Sequence, residues 1–194
     1  MTDSVCTLYL VRHGQSVANA NDTYGLDTDL TEKGMEQIET LATNLNNIHF
    51  DTIYSSPMKR AIQSAIILSN KFNLSIQSEI GLKERYYGIL EGKKGSAMKE
   101  ELFELFKKRS SLPLKKRMAF KFSHDYESDD EVLKRYVPTI KLLLIAYGAR
   151  DHHDFEGQAI VNSGYTKIQS NGYDIDIISI IGRQSDNSLN DQTR

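Results

Sequence analysis

The sequence holds one cysteine, Cys6, among its 194 residues. That excludes an internal disulfide framework and a cysteine-based zinc cluster, and it makes a reduced, cytoplasmic setting the default expectation. Long apolar runs are also missing. The longest, residues 142–147, is six residues, far short of the roughly 20 that a membrane-spanning helix requires. The first residues, Met1-Thr2-Asp3-Ser4-Val5-Cys6, contain no basic region leading into an apolar stretch, so no secretory signal peptide is expected. An excess of one charge is lacking too: 24 Lys+Arg face 26 Asp+Glu, a formal net charge of −2. The chain as a whole is therefore not a basic nucleic-acid binder. What is present, 39% hydrophobic and 26% charged residues, is the make-up of a soluble globular protein. The length suits one compact domain with a proper core and is too small for two ordinary ones.

The first part of the chain alternates strand and helix signals. Residues 7–11 form an apolar-rich run without a period of two, which fits a strand buried on both faces. Met35, Ile38, Leu41, Ala42 and Leu45 recur at helical spacing behind Thr31, a good N-cap, so the spacing predicts a helix over 31–46. A short strand follows at 52–55. Ser56-Pro57 then offers an N-cap and a first-turn proline for a helix reaching about residue 71, with Met58, Ala61, Ile62, Ala65 and Ile66 as its apolar stripe. Residues 74–78 read as a third strand. This β-α-β-α-β order argues for a parallel sheet with helices on both faces.

The middle of the chain changes character. Residues 93–121 contain ten Lys+Arg and three acids, a local charge of +7 that leaves −9 for the rest. One helix over about 97–108 and a break at Pro113 are expected, in an insertion over one end of the sheet. Its aromatics, Phe103, Phe106, Phe120 and Phe122, read as anchors to the domain rather than a platform for stacking bases. Residues 129–147 return to helical spacing with Pro138 as an interruption. Two apolar runs around Ser170-Asn171-Gly172 predict an antiparallel hairpin. A polar tail from 183 to 194 closes the chain, and its composition is that of a disordered segment.

The chemistry starts at Arg12-His13-Gly14, directly after the first strand. In an open parallel sheet the binding crevice lies beyond the carboxyl ends of the strands, so Arg12 and His13 are expected to face it. A neutral imidazole can act as a nucleophile and form a phospho-intermediate. A neighbouring guanidinium binds phosphate through paired hydrogen bonds, and Gly14 lets the backbone approach a ligand closely. Three residues alone recur often by chance; the wider string carries more. Leu8-Tyr9-Leu10-Val11-Arg12-His13-Gly14-Gln15-Ser16-Val17-Ala18-Asn19 resembles the phosphate-binding signature of the histidine phosphatase superfamily, the family of the phosphoglycerate mutases and fructose-bisphosphatases of that fold. The match continues in order. Leu30-Thr31-Glu32-Lys33-Gly34 resembles the family's first helix start, Tyr54-Ser55-Ser56-Pro57-Met58-Lys59-Arg60-Ala61 its second arginine motif, and Leu82-Lys83-Glu84-Arg85-Tyr86-Tyr87-Gly88-Ile89-Leu90-Glu91-Gly92 its acidic motif.

The resemblance implies an α/β three-layer sandwich: a mostly parallel central sheet, helices on both faces, and a basic lid insertion over about 93–128. A single phosphoglycerate mutase-like domain would span 1–182. It implies His13 as the phosphorylated nucleophile, Arg12 and Arg60 as clamps on the phosphoryl oxygens, and Glu84 as proton donor to the leaving oxygen. Gly14, Gln15, Ser16 and Asn19 would contact the substrate, with Gln15 and Ser16 either bonding phosphate or shaping the turn. A general acid must carry its proton when it meets the substrate, which burial or a nearby phosphate charge promotes. No metal and no cofactor are expected. The expected partner is a small phosphorylated substrate, with no nucleic acid and no membrane, and the oligomeric state stays open. A local +7 near the pocket would draw in anions.

One family feature is not found. The resemblance implies a second histidine in the C-terminal half, after an apolar strand that sits beside the first one. Residues 142–148 place Tyr147 at that point but continue a helical pattern, and Gln158-Ala159-Ile160-Val161 leads into no histidine. His152 and His153, in a loop between Asp151 and Asp154, are the histidines nearby. A metal site there has no further ligand spacing to support it. Three functions stay open: a metal-independent phosphatase acting through phosphohistidine, a catalytically impaired protein that binds phosphorylated ligands or a partner, and a mutase-type phosphoryl transfer. A missing central strand would leave a gap in the sheet, for which 158–161 is the candidate filler.

Overall fold

The computed structural model describes residues 6–146, 165–170 and 175–181. Strand β1 (Cys6–Val11) enters a short helix α1 (Val17–Ala20), then helix α2 (Glu32–Asn44), strand β2 (Ile53–Ser55), helix α3 (Lys59–Phe72) and strand β3 (Ile76–Ser78). Three short helices follow, α4 (Gly95–Glu101), α5 (Phe103–Ser110) and α6 (Leu114–Met118), then α7 (Asp129–Ala146) and the strands β4 (Tyr165–Ser170) and β5 (Ile175–Ile181). The architecture is α/β. β2 and β3 form a parallel pair. β4 lies antiparallel on β1, from Cys6 opposite Ser170 to Val11 opposite Tyr165, and β5 is antiparallel to β4. The sheet expected to be mostly parallel thus shows, among the described residues, one parallel pair and two antiparallel pairs. The reason is the connection: β5 follows β4 after four residues, too few for a parallel crossover.

The core between α2, α3 and the strands is apolar. Ile38, Leu41, Ala42, Leu45 and Leu68 are buried, and Tyr9, Val11, Ile53 and Phe72 pack on them. Met35 of the predicted stripe is instead largely exposed, because it sits at the outer edge of the helix face. α2 begins after Thr31, whose hydroxyl accepts from the Gly34 amide. α3 begins two residues later than Ser56-Pro57 suggested. Its N-cap is Met58, without a side-chain cap bond, and the Asp27 carboxylate accepts from the Lys59 amide instead, at 2.8 Å. That cap comes from 32 residues upstream, where no local signal could show it. The buried face of α3 also differs from the apolar stripe: Arg60, Ser64, Ala65 and Leu68 are buried, while Ile66 is exposed.

The first loop and α2 cross at two glycines. A Cβ on Gly14 would lie 2.1 Å from the Gly34 carbonyl oxygen, and one on Gly34 would lie 2.1 Å from the Gln15 carbonyl oxygen. Both obstacles are backbone, so neither can turn aside. Gly34→Ala is therefore expected to destabilise the protein by about 1–3 kcal/mol through overpacking, although alanine is the better helix former. A lower urea midpoint would register it, and an unchanged or higher one would contradict this crossing.

The segment expected as one lid helix is two, α4 and α5, broken at Leu102 (φ −104°, ψ 12°). Met98 and Leu102 are buried together with Leu90 and Tyr126, a second core apart from the first. Turning at Leu102 lets both helices present apolar side chains to it. Part of the lid's positive charge is matched: Lys93 pairs with Glu101, Arg109 with Asp129 and Lys121 with Glu131. α7 runs through Pro138 without ending, so residues 142–146 are helical. No helix among the described residues is long and apolar enough to cross a membrane.

Candidate active site

β1 ends at Val11 and delivers Arg12 and His13 to the loop that leads into α1. The His13 ring is half-buried, and its Nδ1 lies 2.7 Å from the Gly14 carbonyl oxygen. A carbonyl can only accept, so Nδ1 carries the hydrogen and Nε2 keeps its lone pair. That lone pair receives the Nε–H of Arg60 at 3.0 Å. Two elements far apart in sequence thus fix the ring from both sides and aim a neutral, electron-rich nitrogen at a guanidinium.

Arg60 is 6% exposed, in the first turn of α3. Besides His13, it donates to the Leu26 carbonyl at 3.2 Å and lies 3.8 Å from Asp27 and 3.7 Å from Glu84. Ser64, one turn on, donates to the Arg60 carbonyl and accepts from the Gly14 amide. This explains the polar buried face of α3: it turns toward the His13 loop, and hydrogen bonds offset the desolvation of its polar groups.

The His13 pKa is lowered from 6.5 to about 4, by burial first and by the Arg60 and Arg12 cations, against the Gly14 carbonyl bond and Glu84, which raise it. The imidazole is accordingly neutral at pH 5 and above. Between pH 6.5 and 4 the unfolded chain takes up a proton that the folded protein refuses. Stability from this group is fully present above 6.5, is lost as the pH falls toward 4, and amounts to at most about 3 kcal/mol. An NMR titration of the His13 ring is expected to show a midpoint near 4; a midpoint near 6.5 would contradict the buried placement.

The other residues singled out from the sequence fall into two groups. Glu84 comes to the site, with half its side chain open to solvent and one oxygen accepting from the Arg85 amide at 2.9 Å. Arg12, exposed, precedes His13 directly. Gln15 and Ser16 make the bonds of a turn. The Thr31 hydroxyl donates to the Gln15 side chain, and fully buried Ser16 caps α1 by accepting from the Asn19 amide. Asn19 completes that capping box with its side-chain oxygen on the Ser16 amide, which leaves its carboxamide nitrogen as a donor. Gly14 answers to Gly34 across the crossing. Tyr147, His152, His153 and residues 158–161 lie outside the described residues. Of the other histidines, His49 is almost fully exposed beside Asp51, and His124 is exposed. No cluster of metal-ligating side chains occurs among the described residues.

Two cavities share Glu84 as a lining residue. One, about 880 Å³, follows β1 from Thr7 to His13 and passes along β2, with Val132, Tyr136 and Ile140 of α7 across from them. It is lined by both β1 and β2, which belong to separate sheets among the described residues. The other, about 700 Å³, lies under the lid. Sequence reading missed the lid cavity's walls. Phe122 is packed within 5.3 Å of three other aromatic rings, as an anchor should be, but Phe103 and Phe106 are exposed and line the cavity.

Residues 8–161 match the family model of the histidine phosphatase superfamily (branch 1). A Hydrogenobacter thermophilus protein provisionally named phosphoserine phosphatase 2 is 31% identical over 153 residues, covering 75% of this chain and 74% of that one. The 2,3-bisphosphoglycerate-dependent phosphoglycerate mutase of Thermoplasma acidophilum is 36% identical over 97 residues, 48% of each chain. Among solved structures, a phosphoglycerate mutase from Bacillus anthracis superposes with a TM-score of 0.77 at 23% identity, over 92% of this chain and 93% of that one. A mycobacterial glucosyl-3-phosphoglycerate phosphatase in complex with VO3 gives 0.73 at 17%, over 92% and 99%. At those identities the likeness is one of fold.

Proposed function

The chain belongs to the histidine phosphatase superfamily, and from that premise we propose that it is a metal-independent phosphatase that hydrolyses a phosphomonoester through phosphorylated His13. The observation that carries this reading is the bond from Arg60 Nε–H to His13 Nε2 at 3.0 Å, with the Nδ1 hydrogen held by Gly14. The nucleophilic lone pair and the cation that binds the phosphoryl group already share one point in space.

When substrate enters, the Arg60 guanidinium turns from Nε2 to the phosphoryl oxygens, joined by Arg12 and the Asn19 carboxamide. The Nε2 lone pair forms a bond to phosphorus as the ester P–O bond breaks. The leaving oxygen takes the proton of the Glu84 carboxylic acid. A water then loses a proton to the Glu84 carboxylate while its oxygen attacks phosphorus. The P–N bond breaks, the electron pair returns to Nε2, and inorganic phosphate leaves. Positioned cations stabilise the charge that spreads over the phosphoryl oxygens in each step. Acid–base work by Glu84 in both directions requires access to water, and its half-open side chain has it.

Hydrolysis is favoured over phosphoryl transfer between two sites of one substrate, since water needs no second binding site. A catalytically impaired phosphate binder is the competing reading. It rests on the five histidines of the sequence, none of which follows an apolar strand in the C-terminal half. The test is a quench of the protein after brief exposure to a phosphorus-labelled phosphomonoester in EDTA. Label held on the protein in an acid-labile, base-stable form, with phosphate release continuing in EDTA, is the expected result. Release that stops in EDTA, or label that survives acid, would refute the proposal.

A further inference from the structure

The lid cavity specifies what lies on the other side of the scissile bond. Its walls are largely aromatic: Tyr24, Tyr87, Phe103, Phe106 and Tyr126, with Met98 at its base. The rings form a continuous run. Tyr24 meets Tyr87 edge-on at 5.5 Å, Tyr87 meets Tyr126 at 5.9 Å, and Phe122 bridges Tyr126 at 5.2 Å to Phe106 at 4.6 Å. At its open end Phe103 is 61% exposed and Phe106 39%, so two rings there still face water. Three charged residues share this wall with the rings: Arg85, which is 2.6 Å from Asp129 and donates to the Tyr126 hydroxyl at 2.9 Å, Glu84, which lies 3.7 Å from Arg60, and Lys99.

Glu84 fixes how this cavity relates to the chemistry, since it lines both the lid cavity and the one that reaches His13. A phosphoryl group on His13 sends its leaving oxygen to Glu84, and the group attached to that oxygen continues into the space beyond. We infer that the preferred substrate is a phosphomonoester whose alcohol or phenol carries a flat, apolar, aromatic body, seated among the lid rings, rather than a small polar phosphometabolite. The inference rests on the phosphatase reading for its orientation. An aromatic guest extends the edge-to-face run already in place, and it covers the two rings that the lid leaves in water. A phosphoserine-sized alcohol covers neither exposed ring and would place an ammonium and a carboxylate among aromatic side chains, at a desolvation cost.

The experiment compares 1-naphthyl phosphate with phosphoserine as substrates of the full chain, and naphthylmethylphosphonate with methylphosphonate as non-hydrolysable ligands in a binding titration. The expected preference for the naphthyl member is about 10- to 100-fold in kcat/KM and in affinity, the effect of burying one or two rings. Phe103→Ala, at a position 61% exposed, is expected to reduce that preference at least about threefold, and adding Phe106→Ala, whose ring also packs on Phe122, to reduce it at least about fivefold, with the circular dichroism of both variants matching the parent. Leu114→Ala, exposed elsewhere on the lid, is expected to leave it unchanged. Turnover without a naphthyl preference would overturn the substrate inference and leave the phosphatase reading standing. Tight naphthylmethylphosphonate binding that depends on Phe103 and Phe106, with no turnover of either substrate, would support the pocket and refute the phosphatase. Equal binding of the two phosphonates overturns the inference whether or not turnover occurs.

Discussion

Alanine at position 13 is expected to lower phosphate release by about 10⁴-fold or more, because it removes the atom that attacks phosphorus in the proposed mechanism. No other described histidine can take over. His49 is almost fully exposed against Asp51, and His124 is exposed on the lid. The loss should fall on kcat rather than on binding, since Arg60 and Arg12 remain to hold phosphate. Two further readouts separate a chemical defect from a folding one. Inorganic phosphate should still raise the melting temperature of His13→Ala, and its far-ultraviolet circular dichroism should match that of the parent. Labelled phosphate should no longer be trapped on the protein. A variant that kept more than about a tenth of the activity would place the nucleophile elsewhere.

Arg60→Ala should show the second largest effect, of mixed character. Losing one preorganised donor to a developing oxyanion costs about 10²–10³ in kcat in comparable sites. Arg60 also acts in the resting protein: its Nε–H meets His13, and its terminal nitrogens hold the Leu26 carbonyl and lie near Asp27 and Glu84. Its removal leaves a buried space and takes away one of two donors to the Leu26 carbonyl, the Thr28 amide being the other, at a cost of about 0.5–3 kcal/mol in stability. It also withdraws a cation that lowers the His13 pKa, so the His13 titration should move upward in the variant. Arg60→Lys keeps the charge but not the planar fork, and should recover part of the binding with little of the rate. If Arg60→Ala lost stability while kcat and the His13 titration stayed unchanged, Arg60 would be a structural residue only.

The sequence carried the site further than it carried the fold around it. His13, Arg60 and Glu84 lie in separate motifs, 47 and 24 residues apart, and the structure brings them within bonding or ion-pair distance. Motif strings are legible because each fixes a local backbone and a side-chain type together. The assignment of Gln15, Ser16 and Gly14 was less legible. Nothing in their strings tells a phosphate ligand from a turn-former, and their hydrogen bonds to Thr31, Asn19 and the Gly34 crossing are visible only once α2 is in place. The apolar stripe of α3 misled for a related reason. Periodicity places Ile66 inside, yet the face carrying Arg60 and Ser64 is buried, since hydrogen bonds to Gly14, His13 and Leu26 compensate what hydrophobicity alone would oppose.

The sequence by itself determined the family, the α/β class, the order of the first strands and helices, and the motifs that hold His13, Arg60 and Glu84. These depend on residue type and short-range spacing, which the chain states directly. Only the tertiary structure decided the tautomer of His13, the Asp27 cap on α3, the antiparallel seat of β4 on β1, and the turning of Phe103 and Phe106 toward an open cavity instead of the core. Each of those rests on a contact between segments distant in sequence. The energy of such a contact depends on which groups meet, and no single segment specifies its partner.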